Sequence, residues 1–326
     1  MTRSPMNRRS ALQALLGTAC SSLVPTALAQ AGRPIRFILP VATDSGADII
    51  ARAAQHGLAR VLGHTVIIDN QPGPGGIAGT AALLKSAPDG YTLGFVSNNH
   101  VIYPSVYGSV PFDPINDITP IAMVGATPMV VVCNPKVPAA NTKEMVALLK
   151  SRAGQVNFGS SGSGTLLHLA SRRFLEEAGA KANHVPYQGA GPMIAALIGG
   201  QIEFATAELP SVQAHLKSGA LRALGVGSAE RVAAAPEIPT MAEQGLPGFL
   251  VEGWFAFIAP KGLAPTEVKH LNAAAQSAFA LPVVKDAMAR QGSITRLSTP
   301  EVAAEFIRTE MVKYAQLVKK AGIELQ

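Results

Sequence analysis

Val41-Ala-Thr-Asp-Ser-Gly-Ala-Asp48 and Gly159-Ser-Ser-Gly-Ser-Gly-Thr165 are loops of small and hydroxyl-bearing residues, and each follows an apolar run and opens into a helical pattern. The first backbone N–H groups of a helix have no partner within it and carry partial positive charge. Small residues let a ligand approach such groups, which makes each loop a candidate anion site. Two such loops on two halves of one chain predict a clamp for a small anion.

Strand-like and helical patterns alternate along the chain, which predicts an α/β fold with parallel sheets and helices on both faces. A buried crossing strand is predicted over Met129–Cys133, and a return strand over Trp254–Ala259. These crossings predict a hinge between a discontinuous first lobe, residues 30–128 and 252–326, and a second lobe, residues 129–251. Ligands of open parallel sheets bind beyond the carboxyl ends of the strands, where both loops fall.

Two helix starts carry recognisable capping residues. Asn141 is followed three residues later by Glu144, the spacing of a capping pair. Thr299 precedes Pro300, which places a good N-cap before the residue type that suits the first helical position. We therefore expect helices to begin at both places.

Residues 1–29 have the pattern of an export signal, with a basic start, an apolar centre and Ala27-Leu-Ala29 as the cleavage site. Arg8-Arg9 loosely matches a twin-arginine signal, so the general secretory and twin-arginine routes both stay open. Cys20 could be read as a lipid-attachment site, although Gly17 stands where such a site prefers Leu. Only Cys133 follows the signal, which excludes an intrachain disulfide and is typical of a core thiol. We expect a periplasmic protein.

Composition narrows the function classes. The formal net charge of +6 includes three signal arginines, and the remaining excess is too small and scattered to indicate nucleic acid or a membrane surface. The second loop lacks the Gly-Lys-Ser/Thr ending of a nucleotide-binding P-loop. The seven histidines show no metal-ligand spacing, and neither a Gly-x-Ser-x-Gly elbow nor a His-Glu-x-x-His pair is present. No cofactor, metal or catalysis is expected, and hydrolysis is a minor alternative.

Many short blocks resemble the Bug family, the periplasmic receptors of tripartite tricarboxylate transporters, over essentially the whole chain after the signal. The blocks that carry the resemblance are Arg33-Pro-Ile-Arg-Phe-Ile-Leu-Pro40, Asp48-Ile-Ile-Ala-Arg52, Asp69-Asn-Gln-Pro-Gly-Pro-Gly-Gly76, Ala87-Pro-Asp-Gly-Tyr-Thr92, Gly159-Ser-Ser-Gly-Ser-Gly164, His168-Leu-Ala170, His184-Val-Pro-Tyr187, Gly199-Gly-Gln201, Leu221-Arg-Ala-Leu224, Pro239-Thr-Met-Ala-Glu243 and Gly322. The resemblance implies a type II periplasmic-binding-protein fold with a ligand cleft between two lobes.

The resemblance also implies a function. It predicts that lobe closure captures a small carboxylated solute, which a monomeric receptor presents to membrane permease subunits. A second possibility is a sensor whose closed form docks a signalling ectodomain.

Carried over block by block, the family's ligand loops and further cleft positions give a set of candidate ligand-binding residues. These are Val41, Ala42, Thr43, Asp44, Ser45, Gly46 and Asp48 in the first loop, Ser97, Asn98, Asn99 and Thr127, then Ser160, Ser161, Gly162, Ser163, Gly164, Thr165 and His168, and finally Tyr187, Gln188, Gly189, Ala207 and Glu208.

Two acidic positions depart from the family pattern. Asp44 stands in a loop that usually reads Pro-Phe-x-x-Gly-Gly-Gly, and Glu208 stands in a segment that often reads Phe-Asp-Asn-Leu-Pro. A carboxylate beside a second ligand carboxylate repels it. We therefore expect a monocarboxylate with an amino, hydroxyl or neutral ring group at the Asp44 end. The alternative is that Asp44 caps the following helix and points away from the cleft.

Overall fold

The computed structural model describes residues 32–73 and 76–323. The predicted export signal, with Arg8, Arg9 and Cys20, lies outside the described residues. The strands are β1 (Ile35–Leu39), β2 (Val66–Asn70), β3 (Thr92–Ser97), β4 (Ile118–Cys133), β5 (Asn157–Ser160), β6 (Asn183–Pro186), β7 (Phe204–Glu208), β8 (Arg222–Val226), β9 (Glu252–Pro260) and β10 (Ile294–Thr295).

The helices lie mostly between these strands. They are α1 (Gly46–Leu62), α2 (Ile77–Leu84), α3 (Asn99–Val106), α4 (Thr142–Ser151), α5 (Leu166–Ala178), α6 (Ala190–Gly199), α7 (Leu209–Lys217), α8 (Pro265–Ala280), α9 (Pro282–Arg290) and α10 (Pro300–Lys320).

The sheet has the strand order β2-β1-β3-β9-β4-β7-β5-β6, with β8 and β10 also paired to β4. Strand β4 changes partners along its length. Residues 118–128 pair with β9, whereas Met129–Cys133 pair with β7 and β8. The chain thus crosses from a β1-β2-β3 group to a β5-β6-β7 group on one long strand.

The α/β fold is confirmed, but the expectation of parallel sheets holds only for part of it. The β1-β2, β1-β3, β5-β6 and β5-β7 pairs are parallel. Strands β4 and β9 run antiparallel to their neighbours, because they carry the chain between the two groups and back. Strand β4 also begins at Ile118 rather than Met129, and shifts of register near Pro120 and Gly125 accommodate two residues that disfavour strands.

Helix ends follow the predicted capping chemistry. Asn141 accepts the Glu144 N–H at 2.9 Å, and the Glu144 carboxylate accepts the Ala140 N–H at 2.7 Å. Thr299 accepts the Val302 N–H, with Pro300 as the first helical residue. Both predicted helix starts are confirmed.

Buried aromatic side chains fill the space on each side of the crossing. Phe37, Phe95, Phe255 and Phe257 form one group of contacting rings, with centroids 4.9 to 5.6 Å apart. In the β5-β6-β7 group, Phe158, Phe174 and Phe204 are fully buried, and the Cys133 thiol is free and buried. These cores hold the strand ends, and therefore the loops that follow them, in fixed positions.

Candidate functional site

A cavity of about 220 Å³ lies between the loops that follow β1 and β5. Its walls come from both strand groups. They are formed by Pro40, Val41, Ala42, Ser45, Ala47, Pro72, Gly73, Gly76, Ser97, Asn99, Ser161, Thr165, Leu166, Leu167, Gln188, Gly189, Ala190 and Glu208. No lysine or arginine is among these described lining residues, and Glu208 is their one ionisable side chain.

Six helices begin at the cavity wall. The residues that cap or start α1, α2, α3, α5, α6 and α7 all line it, and they are Ser45, Gly76, Asn99, Thr165, Gly189 and Glu208. Helix N-termini present unpaired N–H groups and the positive end of the helix dipole. Their convergence brings the positive ends of several helix dipoles to the cavity wall without any cationic side chain among the described lining residues.

Hydrogen bonds with residues in the first turn of helix α1 hold the first loop in place. Ser45 caps the helix by accepting the Asp48 N–H at 3.3 Å, and the buried Asp48 carboxylate accepts the Asp44 N–H at 3.1 Å and pairs with Arg52. Asp44 is exposed, adopts a φ of 63° and does not line the cavity. The alternative is wrong in its first part, because Ser45 rather than Asp44 caps the helix, and it agrees with the structure in its second part, that Asp44 points away from the cleft. The expectation of a ligand group facing Asp44 is therefore not supported, because Asp44 does not line the cavity.

The second loop is held by hydroxyl groups. Ser160 is buried, and its Oγ lies 2.6 Å from His184 Nε2 and donates to the Gly162 carbonyl at 2.9 Å. Ser161 Oγ donates to Thr165 Oγ1, which in turn donates to the Gly162 carbonyl at 2.8 Å. Ser161 and Thr165 line the cavity, whereas Ser160 supports the loop from behind.

Two neutral imidazoles stack behind this loop. The ring centroids of His168 and His184 are 3.8 Å apart and the two ring planes are nearly parallel, and His168 Nδ1 accepts the Gly164 N–H at 3.0 Å. Burial, aided by the neighbouring His184, lowers the pKa of His168 to about 3. Burial and Arg172 lower the pKa of His184 to about 4. At neutral pH both rings therefore support the loop as uncharged groups.

Glu208 ends β7 and reaches across to the first helix. Its Oε2 accepts the Gly46 N–H at 2.5 Å. Burial raises the pKa of Glu208 to about 7, and this hydrogen bond opposes the rise. The carboxyl group is therefore poised between its charged and neutral forms near neutral pH.

Further contacts join the two strand groups around the cavity. Asn99 Oδ1 accepts the Leu166 N–H at 2.8 Å, and the Tyr107 hydroxyl donates to the Ser163 carbonyl at 3.4 Å. A Cβ at Gly189 would lie 2.8 Å from the Ala42 Cβ, and a Cβ at Gly164 would lie 2.2 Å from Val106. The two loops therefore meet closely, and glycine is required at both of these approaches.

The structure brings ten of the predicted site residues to the cavity wall. They are Val41, Ala42, Ser45, Ser97, Asn99, Ser161, Thr165, Gln188, Gly189 and Glu208. The other thirteen are not among its lining residues, and they are Thr43, Asp44, Gly46, Asp48, Asn98, Thr127, Ser160, Gly162, Ser163, Gly164, His168, Tyr187 and Ala207.

Several of these thirteen residues support the wall instead. Asn98 is fully buried, and it bonds to the Tyr314 hydroxyl at 2.7 Å and to the Trp254 N–H at 2.8 Å. This amide joins the end of β3 to β9 and to α10. Thr127 and Ala207 are likewise fully buried in β4 and β7.

Eight lining residues were not predicted as site residues. They are Pro40, Ala47, Pro72, Gly73, Gly76, Leu166, Leu167 and Ala190. Pro72, Gly73 and Gly76 belong to the Pro- and Gly-rich stretch that follows β2, and the place of this stretch beside β1 is the signal that could have found them. The other apolar residues carry no chemical signal, because they contribute shape and main-chain groups.

The fold and the cavity between strand-end loops define a periplasmic binding protein of the type II fold. The periplasmic binding protein BugD superposes with a TM-score of 0.86 at 29% identity, covering 90% of this chain and 99% of that chain. A protein of R. palustris solved with adipate superposes with a TM-score of 0.87 at 25% identity, covering 90% and 99%.

Sequence similarity identifies the family. BugT of Bordetella pertussis (strain Tohama I) is 36% identical over 296 residues, which are 90% of this chain and 91% of BugT. Residues 50–323 match the tripartite tricarboxylate transporter family receptor, TctC. The chain belongs to this family of periplasmic solute-binding receptors, and the resemblance to Bug proteins is confirmed. The family is one of receptors rather than enzymes.

Within residues 32–73 and 76–323, no helix combines the length and apolar character that a bilayer crossing requires. In the same ranges, no three His, Cys, Asp or Glu side chains cluster as metal ligands would.

Proposed function

We propose that this chain captures a small carboxylated solute in the cavity and presents it to the membrane subunits of a tripartite tricarboxylate-type transporter. The observation that carries the proposal is the convergence of six helix starts on one cavity without a cationic side chain among its described walls. A carboxylate bound by main-chain N–H groups is held in a fixed geometry by charge-assisted hydrogen bonds. No opposing full charge has to be desolvated for this purpose.

The donors that the solute would meet lie in the first turns of three helices. Ala47, Leu167 and Ala190 line the cavity at the second position of α1, the second of α5 and the first of α6. Main-chain N–H groups at these positions have no carbonyl partner within their own helix. The adipate-bound R. palustris protein, which shares this fold, supports a carboxylate as the ligand class.

Closure of two lobes would enclose the solute. The division proposed is residues 30–128 and 252–326 against residues 129–251, with β4 and the approach to β9 as the crossings. The contacts of Asn99 with Leu166 and of Glu208 with Gly46 then join one lobe to the other. A solute that contacts both loops favours the closed form by its additional contacts, and the membrane partner binds that form.

Residues 1–29 would direct export to the periplasm, with cleavage after Ala29, and the receptor would act as a monomer. Catalysis is not part of the proposal. The Ser160 hydroxyl, although beside His184, is buried and committed to the loop, so it is not a candidate nucleophile.

A thermal-shift screen of the purified receptor against small carboxylates tests this function. Each acid is compared with its primary amide, which has the same shape without the charge. At a concentration of about 100 times Kd, a ligand adds about 2.7 kcal/mol of stability, which raises Tm by several degrees. We expect at least one acid to raise Tm while its amide does not. Equal shifts from acids and amides, or hydrolysis of the amides, would contradict the proposal.

A further inference from the structure

The Glu208 carboxylate lines the cavity without a cationic partner among the other lining residues. Its Oε2 accepts the Gly46 N–H at 2.5 Å, and among the described residues its Oε1 has no hydrogen bond. The lining residues supply no lysine or arginine to neutralise it. One oxygen of a partly buried acid is therefore left to accept from whatever fills the cavity.

Gly46 makes room for this carboxyl group. A Cβ at Gly46 would lie 2.6 Å from Oε2, which is too close, whereas a Cβ at Gly253 would be in ordinary contact with Oε1 at 3.5 Å. Gly46 starts α1, so the first strand group receives an acid from β7 where only glycine leaves space for it.

Other parts of the cavity wall have the reverse character. Thr165, Leu167 and Ala190 bring the starts of α5 and α6 to the wall, and these supply N–H donors and no charged side chain. The wall therefore combines donors that attract a carboxylate with one acid that repels a second carboxylate. This combination discriminates between ligands that carry one acid and ligands that carry two.

We propose that Glu208 selects amino acids in the broad sense, meaning solutes whose carboxylate binds the N–H groups at the starts of α5 and α6 and whose ammonium group pairs with Glu208. The proposal rests on the proposed function, because it takes carboxylate capture in this cavity as given. The ammonium would donate to Oε1 and supply the missing counter-charge. Burial without such a partner raises the pKa of Glu208 to about 7, which agrees with an acid whose counter-ion arrives with the ligand.

Titration calorimetry at pH 8 with sets of probes tests the selection. Each set contains a diacid, the amino acid in which ammonium replaces one carboxyl group, and a monocarboxylate whose other end is an uncharged methyl group, called the neutral monoacid. The first set is glutarate, 4-aminobutanoate and butanoate. The second set is adipate, 5-aminopentanoate and pentanoate. In at least one set we expect the amino acid to bind at least about tenfold more tightly than the diacid, a difference of about 1.4 kcal/mol. A diacid that binds as tightly as its amino acid in both sets would overturn the proposal.

Glu208→Gln is the matched variant, since its side-chain carbonyl can still accept the Gly46 N–H. We expect it to lose at least about tenfold in affinity for the amino acid, while affinity for the neutral monoacid changes less than about threefold. An unchanged preference in this variant would overturn the proposal. Binding of the neutral monoacid without any gain from the ammonium would overturn the role of Glu208 alone. Failure of all probes would overturn carboxylate capture as well.

Discussion

Replacement of Ala190 by proline tests whether main-chain donors bind the carboxylate. Ala190 is the first residue of α6, lines the cavity and follows Gly189, whose ψ of 175° is extended. Proline suits the first helical position, and the residue before it prefers an extended ψ. Ala190→Pro therefore removes one N–H donor from the cavity with little strain on the helix.

The expected loss follows from the value of one hydrogen bond to a charged group. Such a bond contributes about 1.5–3 kcal/mol, and each 1.4 kcal/mol corresponds to about a tenfold change in Kd. Ala190→Pro is thus expected to weaken carboxylate binding by about 10- to 100-fold. Titration calorimetry measures this with the acid that gives the largest shift in the thermal screen.

Ala190→Gly is the control, because it keeps the N–H group and removes only a methyl group. Unfolding in urea shows whether both variants retain the stability of the parent. If Ala190→Pro binds the acid within about threefold of Ala190→Gly, main-chain donation from α6 does not hold the carboxylate.

Three further substitutions test the neighbouring features. Gly46→Ala pushes the Glu208 carboxyl group away from the α1 N-terminus, since the added Cβ would lie 2.6 Å from Oε2. We expect calorimetry to show weaker binding of the ligand. The Tm of the variant should be unchanged or higher, because alanine suits a helix better than glycine. Asp44→Asn should leave Kd within about twofold, because Asp44 is exposed and away from the cavity. His168→Gln should reduce the loss of stability between pH 7 and pH 5, measured by urea unfolding.

Proton linkage at His168 determines how the stability of the protein changes with pH. The pKa of His168 is lowered to about 3 in the folded protein, against about 6.5 when unfolded, so the unfolded state binds more protons between these values. The contribution of His168 to the free energy of unfolding is therefore fully present above about pH 6.5. It falls as the pH drops, by about 2 kcal/mol at pH 5. Glu208 acts in the opposite direction, so the comparison is between the parent and His168→Gln. Equal losses in both proteins would contradict the assignment of a neutral, buried ring.

Gly199→Ala is the control for Gly46→Ala. Gly199 ends α6, and a Cβ there would meet no atom within 4 Å. It should leave binding unchanged while giving a comparable gain in helix stability. If Gly46→Ala and Gly199→Ala have the same Kd for the ligand, the position of the Glu208 carboxyl group has no influence on ligand binding.

Local sequence rules predicted the parts of this fold that depend on neighbouring residues. The capped starts of α4 and α10 and the glycine-rich loops are of this kind, because a side chain within three residues decides each of them. Helix α3 was not predicted, since it is short and contains Pro104. It forms because Val101, Ile102 and Tyr103 are fully buried by tertiary packing, which no local pattern reveals.

The candidate site was predictable as a place but not residue by residue. Adjacent serines show why: Ser161 faces the cavity, whereas Ser160 turns back to His184. Their sequence context is nearly the same, and the packing of β5 decides which hydroxyl faces which side. Glu208 was recognised as a departure from the family pattern, but its contact with Gly46 joins elements that are distant in the chain.

The proposed main-chain recognition also accounts for how binding could be coupled to closure. An arginine on one lobe would hold a carboxylate almost as well in the open form as in the closed form, and a ligand shifts an equilibrium only by its difference in affinity for the two forms. In the proposed receptor, N–H groups near Ala47 on one side and near Leu167 and Ala190 on the other would reach the same ligand only when the two proposed lobes meet. A cavity whose donors are divided between its two sides would therefore convert more of the binding energy into closure than a single strong cationic site would.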